Sequence, residues 1–360
     1  MKNQKIIASC IVIITCGFSA SAAIAQATVS NLSVDVYGQL NYGLLVGDSG
    51  DGSDHFIVDN DNISSRIGAE LKGDLDDTGL SIGAHMELEY QQNPSNNVTL
   101  DERSISGEFA ERYLNLFVSG GFGKLSLGQG DGAANRNIER DLSGTLVISW
   151  TNPALVGGGL AFLDKTTDTR VKLSAAMSDQ DFESRYSRVK YDLPVLGPLE
   201  ASISQGVKEQ DDVSELGLRF SGRLGGKILA AVGYSVRDVG GVAGDFKTVG
   251  GSVSWLHDSG ISVTGAYSAT SDNDSANPDA DFYSSKLGYK VGKHACDVHY
   301  TVMEDRVQKG DTTQTVGVGY VFTPIQWFEA YAGYNNHSFS RSGASFDGVD
   351  TLLLGGRLKF

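Results

Sequence analysis

The stretch Leu80-Ser81-Ile82-Gly83-Ala84-His85-Met86-Glu87-Leu88-Glu89-Tyr90 decides the fold class. Leu80, Ile82, Ala84, Met86, Leu88 and Tyr90 hold one parity, and Ser81, His85, Glu87 and Glu89 hold the other. Side chains of a β-strand point alternately to opposite faces, so this segment reads as a strand with one apolar and one polar face. The same period surrounds it. Upstream, Val34, Val36, Leu40, Tyr42 and Leu44 oppose Ser33, Asp35, Gln39 and Asn41, and Ile63, Ile67 and Leu71 oppose Ser64, Arg66, Glu70 and Lys72. Downstream, Leu199, Ala201, Ile203 and Val207 oppose Glu200, Ser202, Ser204 and Lys208, and the pattern recurs up to Leu352–Phe360. No stretch has a helical period.

Composition narrows what such a chain can be. Glycine supplies 45 of 360 residues and proline only 6, with no Gly-X-Y period, which excludes collagen-like and Pro-rich linker readings. Forty per cent hydrophobic residues is too many for charge-driven disorder. Acidic side chains outnumber basic ones 44 to 29, so no broad basic field is offered to a nucleic acid.

The amino terminus reads as an export signal. Lys2 and Lys5 form a positive region, Ile6 to Phe18 is an apolar run too short to span a bilayer, and Ala23-Ile24-Ala25 precedes a cleavage point at Gln26. Lipidation at Cys16 is disfavoured by Thr15 before it. Removing residues 1–25 removes two lysines and no acid, leaving 27 basic against 44 acidic side chains, a net −17, and a single cysteine, Cys296. The expected mature domain, 26–360, therefore holds together without a disulfide. It contains no apolar run long enough for a spanning helix. An exported soluble domain and an outer-membrane barrel remain.

The connections discriminate between them. Alternate links are tight, at Asp74–Gly79, Ser119–Gly123, Pro194–Gly197, Gly222–Gly226, His257–Gly260, Gly292–His294 and Thr323–Pro324. Most links between those are long and polar, at Gly47–Asn62, Gln91–Gly107, Asp238–Asp245, Ser271–Asp279 and His337–Asp350. That rhythm belongs to an antiparallel barrel threaded through a membrane. Counting gives sixteen strands, at about 29–46, 62–73, 80–91, 111–119, 123–129, 184–192, 199–207, 213–224, 228–238, 246–257, 261–270, 281–291, 295–305, 312–322, 327–336 and 350–360. A closed barrel leaves no backbone donor facing lipid unpaired, and about 16–18 strands enclose an aqueous channel. Residues 145–177 are apolar enough to pair as an extra hairpin, so the count around 129–184 stays open.

Four local patterns carry a resemblance. They are Ser65-Arg66-Ile67-Gly68 followed by Asp74-Leu75 and Gly79-Leu80; Arg112-Tyr113-Leu114 to Ser119-Gly120 followed by Phe122-Gly123-Lys124-Leu125; Ser187-Arg188-Val189-Lys190-Tyr191-Asp192-Leu193-Pro194; and the terminal Gly355-Gly356-Arg357-Leu358-Lys359-Phe360. In this order the chain resembles the general porins of Gram-negative outer membranes over nearly its whole mature length. The resemblance implies a homotrimer of sixteen-stranded barrels in contact with outer-membrane lipid and lipopolysaccharide. Each barrel would pass ions and small hydrophilic solutes, with no cofactor. A third loop, here 129–184, would fold into the lumen and set the narrowest section.

The expected basic wall is Arg66, Arg112, Arg188 and Lys190. The parity of Ile67, Val189 and Tyr191 points Arg66, Arg188 and Lys190 inward, while Leu114 and Asn115 blur the stripe at Arg112. The expected loop charges are Asp131, Arg136, Glu139, Arg140 and Asp141, whose mixed signs leave the selectivity open; the net charge suggests a weak cation preference. Phe360 is the expected assembly signal. Solvated lumen residues are the plain alternative for all of these. Asp51, Asp54, Asp59 and Asp61, and later Asp272, Asp274, Asp279 and Asp281, offer oxygen for Ca²⁺ without a spaced ligand motif. The six histidines are scattered and no nucleophile motif is present, so no enzyme is expected. A solute-selective channel and a surface adhesin are the alternatives to a general porin.

Overall fold

The computed structural model describes residues 29–239, 245–271 and 279–360. Nineteen strands occur among them. The first group is β1 (Val29–Ser49), β2 (Gly52–Asp59), β3 (Arg66–Leu75), β4 (Leu80–Gln91), β5 (Glu108–Gly120) and β6 (Gly123–Asp131). After a long inward link containing β7 (Ala161–Asp164) and β8 (Thr169–Lys172) come β9 (Arg185–Asp192), β10 (Leu199–Lys208), β11 (Asp211–Arg223), β12 (Gly226–Asp238) and β13 (Asp245–His257). The last are β14 (Ile261–Ser271), β15 (Ala280–Val291), β16 (His294–Glu304), β17 (Thr312–Ile325), β18 (Phe328–Ser340) and β19 (Val349–Lys359).

Neighbouring staves of the wall pair antiparallel, β6 with β9 across the link, and β1 closes the ring on β19 from Gln39↔Lys359 to Asp48↔Asp350. The wall has sixteen staves, because β2 and β3 are two halves of one. β2 covers the upper part of β1 from Tyr42 to Ser49, and β3 covers its lower part from Val29 to Gln39. The chain leaves the ladder between them, at a short 3-10 turn over Asp61–Ile63. Phe360 completes the closure: its N–H donates to the Gly38 carbonyl at 3.0 Å, and its own carbonyl accepts from the Gly38 N–H at 2.9 Å.

The outer surface is the apolar parity read from the sequence. Leu40, Ile67, Met86, Leu114, Val189, Leu218, Val298 and Leu354 all stand exposed on it, as lipid requires. Cys296 lies on this face as a free thiol.

Two expectations change, and a third, Arg112 inward, is met through an irregularity of the wall. The first long link, expected over Gly47–Asn62, is mostly strand: β1 runs on to Ser49 and turns straight into β2. β2 escaped notice because Phe56-Ile57-Val58 does not alternate in polarity. Ile57 faces out, while Phe56 and Val58 face in and are buried. The apolar segment 145–177 does form a hairpin, β7–β8, but this is a separate two-stranded sheet and adds nothing to the wall. Arg112 points inward against the parity of Leu114. Across from β4, Glu87 pairs with Tyr113 and Leu88 with Glu111, so Arg112 is the extra residue of a β-bulge, which re-aims its side chain.

The lumen is not an open pipe. One side of it holds two apolar clusters built jointly by the wall and the 132–184 link. Ile138, Leu160, Phe162, Leu173 and Met177 pack on Phe282, Met303 and Phe339. Val147, Ile148 and Val156 pack on Leu45, Phe56, Val58, Val321 and Leu353. Inward-facing apolar residues are tolerated there because the link, not water, covers them.

Candidate functional site

The link is pinned to the wall by the inward polar parity. Ser204, Ser252 and Ser254 each accept a backbone N–H of the link, from Ala133 at 2.7 Å, Arg140 at 3.0 Å and Leu142 at 2.9 Å. Ser252 also donates to the Asn137 carbonyl at 2.7 Å, and Ser268 donates to the Asp179 carbonyl at 2.7 Å. Glu215 accepts from the N–H groups of Ala134 and Glu183 at 3.0 and 3.1 Å. Arg219 reaches the Asn135 carbonyl at 3.0 Å. Serine suits this work: it is short, so the link approaches closely, and its hydroxyl satisfies a backbone group that would otherwise be buried unpaired.

The link leaves a charged cavity of about 360 Å³ between itself and the wall of β3, β4, β5 and β9. From the wall come Arg66, Glu89, Arg112 and Arg185, and from the link come Arg136, Glu139, Asp179 and Asp181. Asp61, on the turn that breaks the second stave, also lines it. On the wall, Arg112 spans two carboxylates, Glu87 and Glu89, each at 2.5 Å. Arg66 lies 3.6 Å from Glu87 and donates to the Ser64 carbonyl at 3.0 Å. On the link, Arg136 sits 3.5 Å from Glu139 and over the Trp150 ring, and the Trp150 indole donates to Glu139. Burial pushes the Asp179 and Asp181 carboxyls well above the usual carboxylate range, and the neighbouring Glu139 charge adds to it.

The cavity thus gathers Arg66, Arg112, Arg136, Glu139 and the calcium candidate Asp61 from the residues singled out in the sequence, and the others stand elsewhere. Arg188 is not on the path. It is 6 % exposed, and its guanidinium is spent on the carbonyls of Asp131 at 2.9 Å and Gly128 at 2.8 Å, holding the end of β6. Lys190 pairs with Asp192 at 3.3 Å toward the tight-turn end. Asp131 accepts from the Tyr113 hydroxyl at 2.9 Å and lies 3.9 Å from Arg185. Arg140 is half-buried beyond the cavity. Asp141 is an anchor: it forms a buried pair with Lys286 at 2.5 Å, the two side chains being 1 % and 5 % exposed.

Arg185, Glu87, Glu89, Asp179 and Asp181 were missed. Glu87 and Glu89 lay on the polar parity of the opening stretch, so their inward direction was legible but their pairing with Arg112 was not. Asp179 and Asp181 sit in a segment with no period. Of the calcium candidates, Asp51 accepts two hydrogen bonds from Arg170, Asp54 pairs with Arg103 at 2.8 Å, Asp59 accepts the Ser65 N–H and Asp61 accepts from Gln91. Asp281 accepts from Tyr267. Among the described residues no three acidic, histidine or cysteine groups converge as a metal would need. Asp272 and Asp274 lie outside the described residues.

A closed sixteen-strand barrel, a pinned inward link and a charged gap beside it are now in view. The model of the Gram-negative porin family matches residues 9–342. The chain belongs to the Gram-negative porins. It is an outer-membrane channel protein of that family.

Solved structures share the porin fold at low identity. The anion-selective porin from Comamonas acidovorans is 16 % identical with a TM-score of 0.67, the match covering 91 % of this chain and 100 % of that one. OmpT of Vibrio cholerae, in its trimer form, is 19 % identical with a TM-score of 0.57, covering 91 % and 99 %. The outer-membrane channel DcaP of Acinetobacter baumannii is 12 % identical with a TM-score of 0.59, covering 91 % and 97 %. No curated protein gives a significant sequence match.

Proposed function

We propose that this porin is a passive, homotrimeric diffusion channel for ions and small hydrophilic solutes, and that it catalyses no reaction. The observation that carries the reading is the link pinned across the lumen, which leaves a polar gap of about 360 Å³ lined by charges of both signs. Opposed charges across a narrow section create a transverse field that orients dipolar solutes and penalises apolar ones. The trimer form of OmpT, which shares the fold, supports the homotrimer. Export through a signal over residues 1–25, outside the described residues, is part of the same reading, as is an assembly role for Phe360. The calcium reading of the outer loops gains no support from their placement.

The selectivity filter is assigned to Arg66, Arg112 and Arg185 facing Arg136, Glu139, Asp179 and Asp181. Planar-bilayer recording is expected to show large ohmic steps. Replacing Arg66 and Arg112 with Ala leaves Glu87 and Glu89 unneutralised, and the reversal potential in a KCl gradient should move clearly toward cations. Arg188→Ala should behave differently: it leaves selectivity unchanged but orphans two carbonyls, at a cost of about 1–3 kcal/mol, read as a lower unfolding midpoint. A selectivity change from Arg188→Ala, or none from the double variant, would reverse the assignment.

Phe360 makes both hydrogen bonds that end the closing seam and lays its ring over Gly38. Its deletion should sharply lower the yield of folded barrel in outer membranes, and an unchanged yield would refute the assembly role.

A further inference from the structure

On the tight-turn side of the link the lumen holds a second pocket, of about 420 Å³, which shares no charged residue with the gap described above. Its wall is the turn between β15 and β16 with β17 to β19, its roof is residues 144–147 of the link, and Ile63 closes one side. Leu146 lines it half-exposed and belongs to neither apolar cluster of the lumen, so Leu146 and Ile63 present apolar surface to an otherwise wet space. Glu329, the one acid in the lining, is taken up by Arg357 at 2.5 and 2.9 Å and by Lys359 at 2.7 Å. Lys290 and Lys293 form no ion pair among the described residues, and their ammonium groups stand as surplus charge beside the apolar patch. Both are held in place. The Lys290 stem lies along Gly144, where a Cβ would come 3.3 Å from its Cδ, and the Lys293 carbonyl accepts the Thr323 N–H at 2.8 Å.

We infer that this pocket binds small amphipathic carboxylates, with the carboxylate on Lys290 and Lys293 and the apolar body against Leu146 and Ile63. The inference goes beyond the channel reading and uses it only for one of two readouts. A wholly polar anion leaves the apolar patch wet, a neutral solute leaves both ammonium groups unpaired, and a cation is repelled, so an anion with an apolar body is the solute that satisfies both surfaces. The volume falls in the range of small-molecule sites. The adjoining cleft among the turns adds Lys227 to Lys290, while its Asp258 is paired with Arg223 at 2.9 Å. The positive field thus extends to the tight-turn mouth, from which the anion enters.

The test compares hexanoate with acetate, which lacks the apolar body, and with hexanamide, which lacks the charge. Each is added to the full porin in a planar bilayer, and the concentration that gives half of the maximal reduction in KCl current is read. Hexanoate is expected to act at a concentration about tenfold below acetate, since each methylene taken from water is worth roughly fourfold and part of the chain is covered. Hexanamide should leave the current unchanged. Leu146→Ser, which keeps every charge, should bring hexanoate back to acetate, and Lys290→Gln with Lys293→Gln should raise its half-acting concentration about tenfold or more, while KCl conductance persists in both. Titration calorimetry of hexanoate into the folded porin in detergent reads the same pocket without any current, and its binding heat should fall away in both variants. Hexanoate acting like acetate or like hexanamide, or a hexanoate effect that survives whichever variant folds, overturns the inference alone, as does the absence of binding heat in the parent. Binding heat without any conductance would support the pocket and overturn the channel reading.

Discussion

Asp141→Ala should lower the stability of the barrel by about 3–5 kcal/mol and free the inward link, which makes it the most damaging single change at the site. The pair it breaks is the most deeply buried ion pair between link and wall, with Asp141 1 % and Lys286 5 % exposed. Lys286 also donates to the Ser149 carbonyl, so one ammonium ties two points of the link to β15. Removing the carboxylate leaves that ammonium buried with the Ser149 carbonyl and only the more distant Asp297 carboxyl, which also pairs with His299, and a poorly compensated buried charge is worse than no pair at all. Asp141→Ala with Lys286→Met should therefore recover much of the loss. The check is the urea midpoint of the folded porin, followed by the fluorescence of Trp150 on the link, together with single-channel current noise. An unchanged midpoint and quiet current in Asp141→Ala would show that the link is held elsewhere.

Gly217→Val should have an effect of similar kind through sterics alone. Gly217 faces inward on β11, and a Cβ there would sit inside the contact distance of the Ala133 carbonyl oxygen, with Asn137 Nδ2 at 3.0 Å. Backbone cannot swing aside as a side chain can, so the 133–137 segment must move off the wall. It would give up the Ala134–Glu215 and Arg219–Asn135 hydrogen bonds in doing so. Overpacking of this kind costs about 1–3 kcal/mol, and the link's displacement should change single-channel conductance. Gly265→Ala is the control. It also lies within a strand, β14, but the nearest atom to its Cβ would be the Ser284 carbonyl oxygen at 3.9 Å. The control should stay within about 0.5 kcal/mol of the parent. Equal responses of the two variants would remove close approach as the reason for Gly217.

These variants bear on the glycine excess, which composition alone used only to exclude other classes. Gly217 and Gly333 mark where the link presses on the wall: the first meets Ala133 and the second meets Ile148. In sequence they are merely glycines on the inward parity. The residue that needs the space lies about 80 positions away in one case and about 185 in the other, and no local pattern records that.

The charged residues divide in the same way. Arg66 faced the gap as its parity required, because Ile67 beside it must face lipid. Arg188 obeyed the same rule and still missed the path, since parity gives a direction and not a partner. The carbonyls that captured it belong to β6, across the long link. Arg112 broke parity through a bulge created by its pairing with β4. Asp141, expected among the loop charges at the narrow section, became an anchor because Lys286 waits where the link crosses β15.

The sequence by itself determined the membrane-spanning barrel, which end carries the tight turns and which parity meets lipid, while the count of sixteen staves was settled only by where the 145–177 hairpin folds. Each of these follows from a repeat of two residues and from the rule that lipid leaves no backbone group unpaired. Only the tertiary structure decided which inward charges meet across the gap, because that depends on how one aperiodic link folds back against wall strands it does not adjoin in the chain. The link's course is chosen by hydroxyls, glycines and one buried ion pair on the far wall. The charge pattern of the gap is therefore a property of the closed barrel rather than of any segment in it.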